Sequence, residues 1–288
     1  MSYTITENFV KSFASNLYMR AAQSRSLFEN AVRLEPNVVG RMKSFDRLDS
    51  NEAVADTTRH GDTPIHDLTH DRVWAVVSDW IFAPMVDDED KLKMLIDPTS
   101  EYTVRCSEAM NRVKDDRVIA AFNADVITGE NFDGTTSFDT TNNRIASGAV
   151  GLTPNKLRQT MEGLMAGNVM AEEEFYFACA PKQIYTDLMN FPELTNNDYN
   201  TIRTLVEGKI GSFMNFKFIM SNRLASSSGD RLCYGWAKSG MGLAIAKEKS
   251  TDIVRRPDKK NNAQIICKQS LGAVRIEQAK VWQVLCTE

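Results

Sequence analysis

The stretch that most constrains the fold runs over Asp97–Gly129, and its pattern predicts one long helix. Apolar side chains recur at helical spacing at Tyr102, Cys106 and Met110, which gives the helix one buried face. Beyond Arg117 the sequence is apolar on nearly every side. Such a helix packs on a core along one side and faces water or a second subunit along the other.

The opposite side of this predicted helix carries charges of both signs. Glu101 and Arg105 are four residues apart in the order that favours an ion pair within a helix, and Glu108 and Arg112 repeat the arrangement. Charged pairs of this kind are typical of a solvated face, and they also suit a contact between subunits. The four residues are therefore candidates for either role.

Two segments that precede the helix predict a dependence on a partner surface. Residues 6–34 have helical spacing with a narrow apolar stripe, so we expect an N-terminal helical arm that is stable only on another surface. Residues 37–86 read as two extended runs around a polar stretch, with five basic and seven acidic residues from Arg41 to Arg72. A long polar segment is uncommon inside a compact domain, and a two-stranded projection is marginal alone. We expect a long hairpin that contacts a neighbour.

The composition is that of a globular chain with a sizeable core. The 288 residues are 42% hydrophobic and 25% charged, enough for one large domain or two modest ones. A net charge of −4 argues against general nucleic-acid binding by the whole chain, because counterion release needs clustered Lys and Arg. The five widely spaced cysteines predict reduced thiols that pack as small hydrophobes. No apolar run is long enough to cross a bilayer, so no membrane partner is expected.

The three histidines of the chain are the strongest hint of chemistry. His60, His66 and His70 lie close together among aspartates, and the last two have the spacing of a helical zinc motif. No glutamate follows His66, however, and Gly61 and Pro64 argue against a helix there. A charged projecting loop is the favoured interpretation over a metal or acid–base site. The sequence also lacks phosphate-binding, dinucleotide and serine-nucleophile motifs, so we predict no catalytic residues, metal or cofactor.

Five strings carry a family resemblance, at Asp56–Pro64, Val86–Phe122, Leu152–Leu164, Gly208–Leu224 and Arg255–Val281. Over nearly the whole chain, the sequence resembles the major capsid proteins of tailed double-stranded DNA bacteriophages, which have the Hong Kong ninety-seven type of fold. The resemblance implies an α+β phage major-capsid fold, built from an N-terminal arm, an extended β-hairpin loop, a peripheral domain with a long spine helix, and an axial domain.

The resemblance also implies a division of the chain into five parts. They are the N-terminal arm at 1–36, the extended loop at 37–86, the peripheral domain with the spine helix at 87–150, the axial domain at 151–262, and the return strands of the peripheral domain at 263–288. This division agrees with the arm, the projection and the helix that the residue patterns predict on their own.

The implied function is structural. A major capsid subunit self-assembles as a homo-oligomer into pentamers and hexamers of an icosahedral shell, which encloses packaged double-stranded DNA without sequence-specific binding. The implied location is the virion capsid, with assembly in the host cytoplasm. Because the sequence begins at the arm, a separate scaffolding protein is expected, with a portal and decoration proteins as further partners.

The predicted inter-subunit contacts lie in the hairpin and on the helix. The candidate residues are Arg41, Lys43, Arg47, Asp56, Arg59, His60, Asp62, His66, His70, Arg72, Glu101, Arg105, Glu108 and Arg112. Two other functions stay open at this point. One is the shell of an encapsulin-like protein nanocompartment that holds an enzyme, and the other is a metal-dependent hydrolase that uses the three histidines.

Overall fold

The structure is a computed structural model that describes residues 22–48, 52–53, 55, 65, 67–86, 99–188 and 212–288, with the backbone alone at 99 and 100. The described part has two α-helices, α1 (Thr99–Asn123) and α2 (Pro154–Ala166). Neither of them is long and apolar enough to cross a membrane. The strands are β1 (Arg33–Glu35), β2 (Met42–Leu48), β3 (His70–Val76), β4 (Ser78–Phe82), β5 (Met85–Val86), β6 (Val126–Thr128), β7 (Gly134–Thr136), β8 (Arg144–Ile145), β9 (Phe175–Cys179), β10 (Ser212–Phe213), β11 (Phe216–Met220), β12 (Ser226–Ser227), β13 (Asp230–Ala237), β14 (Met241–Arg256), β15 (Asn262–Arg275) and β16 (Val281–Thr287).

The strands form three sheets. The long sheet has the order β1-β14-β15-β4, with β5 also paired to β15. The seven-stranded sheet has the order β10-β11-β9-β13-β16-β8, with β12 paired to β13. The hairpin sheet has the order β2-β3-β6-β7. The predicted mixture of helix and sheet is therefore observed.

One core joins α1 to the two larger sheets. The C-terminal half of α1 contributes Val118 and Phe122, and Phe122 stacks on Tyr234 of β13 with ring centroids 4.6 Å apart. Leu243 and Leu271 of the long sheet belong to the same cluster. The N-terminal half of α1 buries Cys106 and Met110 on the long sheet, as the spacing predicts.

A second core lies between α2 and the seven-stranded sheet. Thr153 caps α2, where the amide of Lys156 donates to its side-chain oxygen at 3.3 Å, and Pro154 occupies the first turn. Leu157 and Leu164 are fully buried against strands β9, β11, β13 and β16. This cap and the proline fix the start of α2.

The prediction of a helix up to Gly129 is wrong at its C-terminal end. Helix α1 ends at Asn123, and Val126–Thr128 forms β6 between β3 and β7. β-branched residues favour strands, and here two neighbouring strands supply their backbone partners. The guanidinium of Arg275 is buried and donates to the carbonyl oxygens of Phe122 and Ala124 at 2.7 and 3.1 Å, which satisfies the end of α1.

The prediction of a helical arm is wrong for its described part. From residue 22 onward the arm contains a single 3₁₀ turn at Glu29–Ala31 and then β1, which pairs in parallel with β14. The backbone amides of Leu27 and Phe28 donate to a side chain of α1 instead of to a helix of their own. Residues 6–21 of the predicted arm lie outside the described residues.

The two runs predicted for 37–86 pair as β2 and β3, but the second run changes sheet. After Val76 it leaves the hairpin sheet, and β4 pairs with β15 of the long sheet. Gly272 of β15 lies at the crossing, where an added Cβ would be 2.1 Å from the carbonyl oxygen of Val76. Strand β15 continues through Gly272 because glycine permits this close approach.

All five cysteines are free and buried, which confirms their predicted role as small core residues. Burial raises the pKa of Cys106 from 9.0 to about 12 and raises the pKa of Cys179 further. Only the thiolate is nucleophilic, so both residues are inert in the folded chain.

We expect the native thiols to resist an aromatic disulfide reagent at pH 8 and all five to react in denaturant. An added thiol at Val39, whose side chain is 96% exposed, should react at once and serves as the control. Because burial raises the pKa of the Cys106 thiol from 9.0 to about 12, the stability that this thiol contributes is full below pH 9 and declines as the pH rises toward 12. Rapid labelling of native cysteines at pH 8 would contradict this.

Candidate assembly surfaces

A buried carboxylate on α1 binds the arm. Asp115 is fully buried and accepts hydrogen bonds from the backbone amides of Leu27 and Phe28 at 3.0 and 3.3 Å. The hydroxyl of Ser26 donates to it at 2.5 Å, and the amide side chain of Gln23 donates as well. Four donors from one short segment therefore converge on a single side chain.

The residues beside Asp115 hold the same segment. Asn111 and Arg112 donate to backbone carbonyl oxygens of the arm at 2.7 and 3.0 Å. Lys114, itself buried, pairs with Glu29 at 2.7 Å. One polar face of α1 is thus a binding surface for the arm of its own chain, and Arg112, predicted to face a neighbour, is part of it.

Beyond this surface the arm enters the main core. Phe28 is fully buried and stacks on Trp236 of β13 with ring centroids 6.0 Å apart. The indole nitrogen of Trp236 donates to the carbonyl oxygen of Ala31 at 2.8 Å. The stretch from Gln23 to Glu35 is consequently built into the body of the subunit.

Charged pairs brace the base of the β2–β3 hairpin. Arg47 pairs with Asp71 and donates to the carbonyl oxygen of Ile276 at 2.9 Å, which ties the hairpin to the long sheet. Arg72 pairs with Asp46 at 2.6 Å. Partial burial raises the pKa of Asp71, but hydrogen bonds from Arg47 and the Arg72 amide outweigh it, so that pKa lies below its usual value.

The other predicted contact residues fall into four groups. Arg41 and His70 are exposed on the hairpin, while Lys43 and Glu101 are half-buried. Arg105 pairs with Glu108 at 2.7 Å, a spacing of three residues along α1, whereas the sequence predicted ion pairs at a spacing of four. The remaining five lie outside the described residues: Asp56, Arg59, His60, Asp62 and His66. Among the residues that the structure describes, no group of side chains is arranged to hold a metal.

Two open clefts flank the arm. One, of about 760 Å³, lies between the arm and β9 and includes Glu174 and Lys238, which pair at 3.2 Å. The other, of about 500 Å³, lies between the hairpin and the end of β15 and includes Lys280, which pairs with Glu277 at 3.2 Å. Charges of both signs line each cleft and neutralise each other.

A sequence profile of the phage capsid protein family matches residues 5–288. Among curated proteins no match is found. The capsid of cyanophage P-SCSP1u is similar in structure, with a TM-score of 0.75, 14% identity, and coverage of 99% of this chain and 94% of that one. The capsid of cyanophage Pam1 has a TM-score of 0.74 and 12% identity, over 99% and 98% of the two chains. The capsid of Ralstonia phage GP4 has a TM-score of 0.71 and 10% identity, over 100% and 98%.

The structural matches confirm the predicted Hong Kong ninety-seven type of fold along nearly the whole chain. The family match confirms the predicted class of protein and favours neither the nanocompartment nor the hydrolase. With a profile that spans residues 5–288 and a fold that agrees over its length, the chain belongs to the phage capsid protein family and is a structural, non-enzymatic protein of the virion capsid.

Proposed function

We propose that this chain is the major capsid subunit of a tailed phage and that it assembles into pentamers and hexamers of a closed icosahedral shell around double-stranded DNA. The observation that carries the proposal is the family match over residues 5–288 on a fold shared with whole capsid subunits. Assembly takes place in the host cytoplasm with a separate scaffolding protein and a portal, and decoration proteins are further partners.

The parts of the fold suit this role. In this proposal the long sheet, the hairpin sheet and α1 belong to the peripheral unit, and the seven-stranded sheet with α2 belongs to the axial unit near the centre of each capsomer. This division differs from the one that the resemblance implies, because β14, within 151–262, lies in the long sheet and β16, within 263–288, lies in the seven-stranded sheet. The segment between β2 and β3 extends over a neighbouring subunit. Next to this segment, Arg47 donates to the carbonyl oxygen of Ile276 and ties the end of β2 to the chain that follows β15.

The predicted contact residues take two roles in this proposal. Arg41 and His70 are exposed and lie where the hairpin meets a neighbour. Arg47, Arg72 and Arg105 form ion pairs within the chain and set the shape of the surface. Charges at such an interface fix register and partner choice more than they add affinity.

Electron microscopy tests the proposal. The chain co-expressed with its neighbouring phage genes should form closed polyhedral shells. Deletion of residues 51–69 should leave folded subunits, because β2 and β3 retain their pairing, but should abolish regular shells. Shells of normal diameter from the deletion variant would refute the overlap, and a wild-type chain that forms no capsomers would refute the function.

We expect the unassembled subunit to bind duplex DNA only weakly and to lose binding at physiological salt. The net charge of −4 opposes association with a polyanion, and a shell retains DNA by enclosing it. The exposed lysines at the β14–β15 turn, Lys259 and Lys260, give the local exception. Changing both to Glu should lower the salt dependence of residual binding by about two phosphate contacts in an anisotropy titration. Submicromolar, salt-resistant binding would contradict the prediction.

A further inference from the structure

Strand β14 is paired unequally on its two sides. On the inner side it pairs with β15 from Met241 to Arg256. On the outer side β1 pairs with it only over Gly242–Ala244. Within the described residues, no strand pairs with the outer edge from Lys247 to Arg256. An edge of this length presents a row of backbone donors and acceptors to any second strand.

The first part of this edge is protected against such pairing. The register with β15 shifts between Ile245 and Lys247 and again between Lys247 and Ser250. Lys247, Glu248 and Lys249 are all exposed there. Bulges and edge charges are the usual means by which proteins block edge-to-edge association.

The second part of the edge lacks these register shifts, and its charges alternate with exposed β-branched residues. From Ser250 to Arg256 the register with β15 is regular, and the side chains from 251 to 255 are exposed. Ile253 is 57% exposed and Val254 is 45% exposed, on opposite faces of the strand. A flat edge with exposed β-branched residues, next to a protected one, indicates a site that a strand covers in the assembled protein.

We propose that residues 252–256 pair with the same residues of a second copy of this chain, antiparallel about a two-fold axis perpendicular to the long sheet. Such an axis keeps each face of the sheet on its own side and puts one residue opposite itself. Ile253 pairs with Ile265 of β15, which packs on α1, so position 253 belongs to the face of the sheet that α1 covers. Successive residues of a strand alternate between faces, so Asp252, Val254 and Arg256 share the opposite face.

Charge selects the register of this pairing. With Val254 on the axis, Asp252 of each copy lies opposite Arg256 of the other, and two cross-strand ion pairs form. With Ile253 on the axis, Asp252 lies opposite Val254 and forms no ion pair. With Asp252 or Arg255 on the axis, that residue lies opposite its own copy, so two like charges meet. Opposite charges stabilise a cross-strand pair and like charges destabilise it, so the Val254 register is selected.

The geometry of Arg256 suits this second contact. Its guanidinium already pairs with Asp258 at 2.7 Å and donates to Gln264 at 3.1 Å, and these bonds hold it at the end of the strand. A guanidinium has five donors, so it retains capacity for the carboxylate of the partner copy. A nucleic acid would find Asp252 and two apolar side chains on the same edge, which favours protein over DNA as the occupant.

The inference rests on the proposed function and assigns the contact between capsomers. Every contact within a ring of five or six subunits is heterologous, because each subunit uses two different surfaces. Rings are joined into a shell by other contacts, and an isologous strand pair on a two-fold axis is one of them. The β14 edge would therefore connect one ring to the next and would not be needed to form the ring.

Disulfide trapping in assembled shells tests the pairing. Residues opposite each other in an antiparallel pair have Cα atoms about 4.5–5.5 Å apart, within the range of about 4.4–6.8 Å that a disulfide spans. We expect Val254→Cys shells to give a disulfide-linked dimer on mild oxidation, with at least ten times the yield of Glu248→Cys shells, whose changed side chain is exposed and outside the proposed pairs. In the proposed register the two residues at 248 are offset by about 40 Å along the strands. The native cysteines are buried and do not interfere.

Charge reversal gives a second measurement that does not depend on the cysteine variant. Asp252→Arg and Arg256→Asp should each yield rings of five and six but few closed shells, and the double variant should regain shells. Absence of the Val254→Cys dimer in well-formed shells, or equal crosslinking at position 248, would overturn the inference. Normal shells from the single reversals with reduced DNA retention would assign the edge to DNA instead. A wild-type chain that forms no rings would refute the proposed function itself.

Discussion

Replacing Asp115 with alanine should lower the free energy of unfolding of the unassembled subunit by about 3–5 kcal/mol and free the arm from α1. The change leaves the backbone amides of Leu27 and Phe28 and the hydroxyl of Ser26 without their acceptor. Each buried donor left without a partner costs about 1–3 kcal/mol, and a carboxylate is a stronger acceptor than a neutral oxygen. Urea denaturation measures the loss, and limited proteolysis between residues 23 and 32 reports release of the arm.

The adjacent aspartate provides a matched control. Asp116 pairs with Arg223, whose Nε lies 2.6 Å from its carboxylate, but both side chains are 37% exposed. Exposed pairs contribute less than about 1 kcal/mol, so Asp116→Ala should leave the arm protected from protease. Ser26→Ala removes one of the four donors and should give an intermediate loss. Equal effects of the two aspartate changes would show that the arm is held by its apolar side chains alone.

The contrast between these aspartates shows where inference from sequence ends. Asp115 and Asp116 are chemically identical neighbours, and no local pattern distinguishes them. The difference arises because the arm, 88 residues away along the chain at Leu27, covers one and leaves the other at the surface. The local sequence therefore does not identify Asp115 as the acceptor that organises the arm.

Hydrophobic periodicity predicts burial correctly within a single helix, but it does not predict secondary structure that depends on pairing with strands far away in the chain. Cys106 and Met110 are buried as their spacing on α1 predicts. Val126–Thr128 was assigned to the same helix, but pairing with β3, whose Val73 aligns with Thr128, makes it a strand. The apolar residues of the arm recur at helical spacing, but Phe28 packs on Trp236 from a segment that is not an α-helix.

The same limit applies to the surfaces that join subunits. The sequence identifies charged residues of the hairpin, such as Arg47 and Arg72, as candidates for contacts with neighbours, yet both are paired within the chain. Nothing in the sequence of Thr251–Arg256 shows that this strand lies at a sheet edge. Edge position is a property of topology, which depends on pairings between residues far apart in the chain.

Changing Met110 to aspartate should have the largest effect of a single substitution on α1. The side chain is 2% exposed and packs with Val86, Ile265 and Cys267 of the long sheet. The change removes about 2–5 kcal/mol of packing and adds a buried carboxylate with no cation, which costs a further 3–5 kcal/mol or so. Since a folded domain has about 5–15 kcal/mol of stability in total, we expect the variant to be insoluble on expression.

The matched control places the same charge on the same helix at Val104, where the side chain is 45% exposed. Val104→Asp keeps its carboxylate in water, and a surface change of this kind shifts stability by about 0.5 kcal/mol or less, so soluble protein and normal shells are expected. Both variants have the same net charge, and their helix propensity costs differ by less than about 0.7 kcal/mol. A larger difference in stability between them therefore reports burial on the long sheet, whereas a soluble, shell-forming Met110→Asp variant would show that the packing of α1 on that sheet is not essential to the fold.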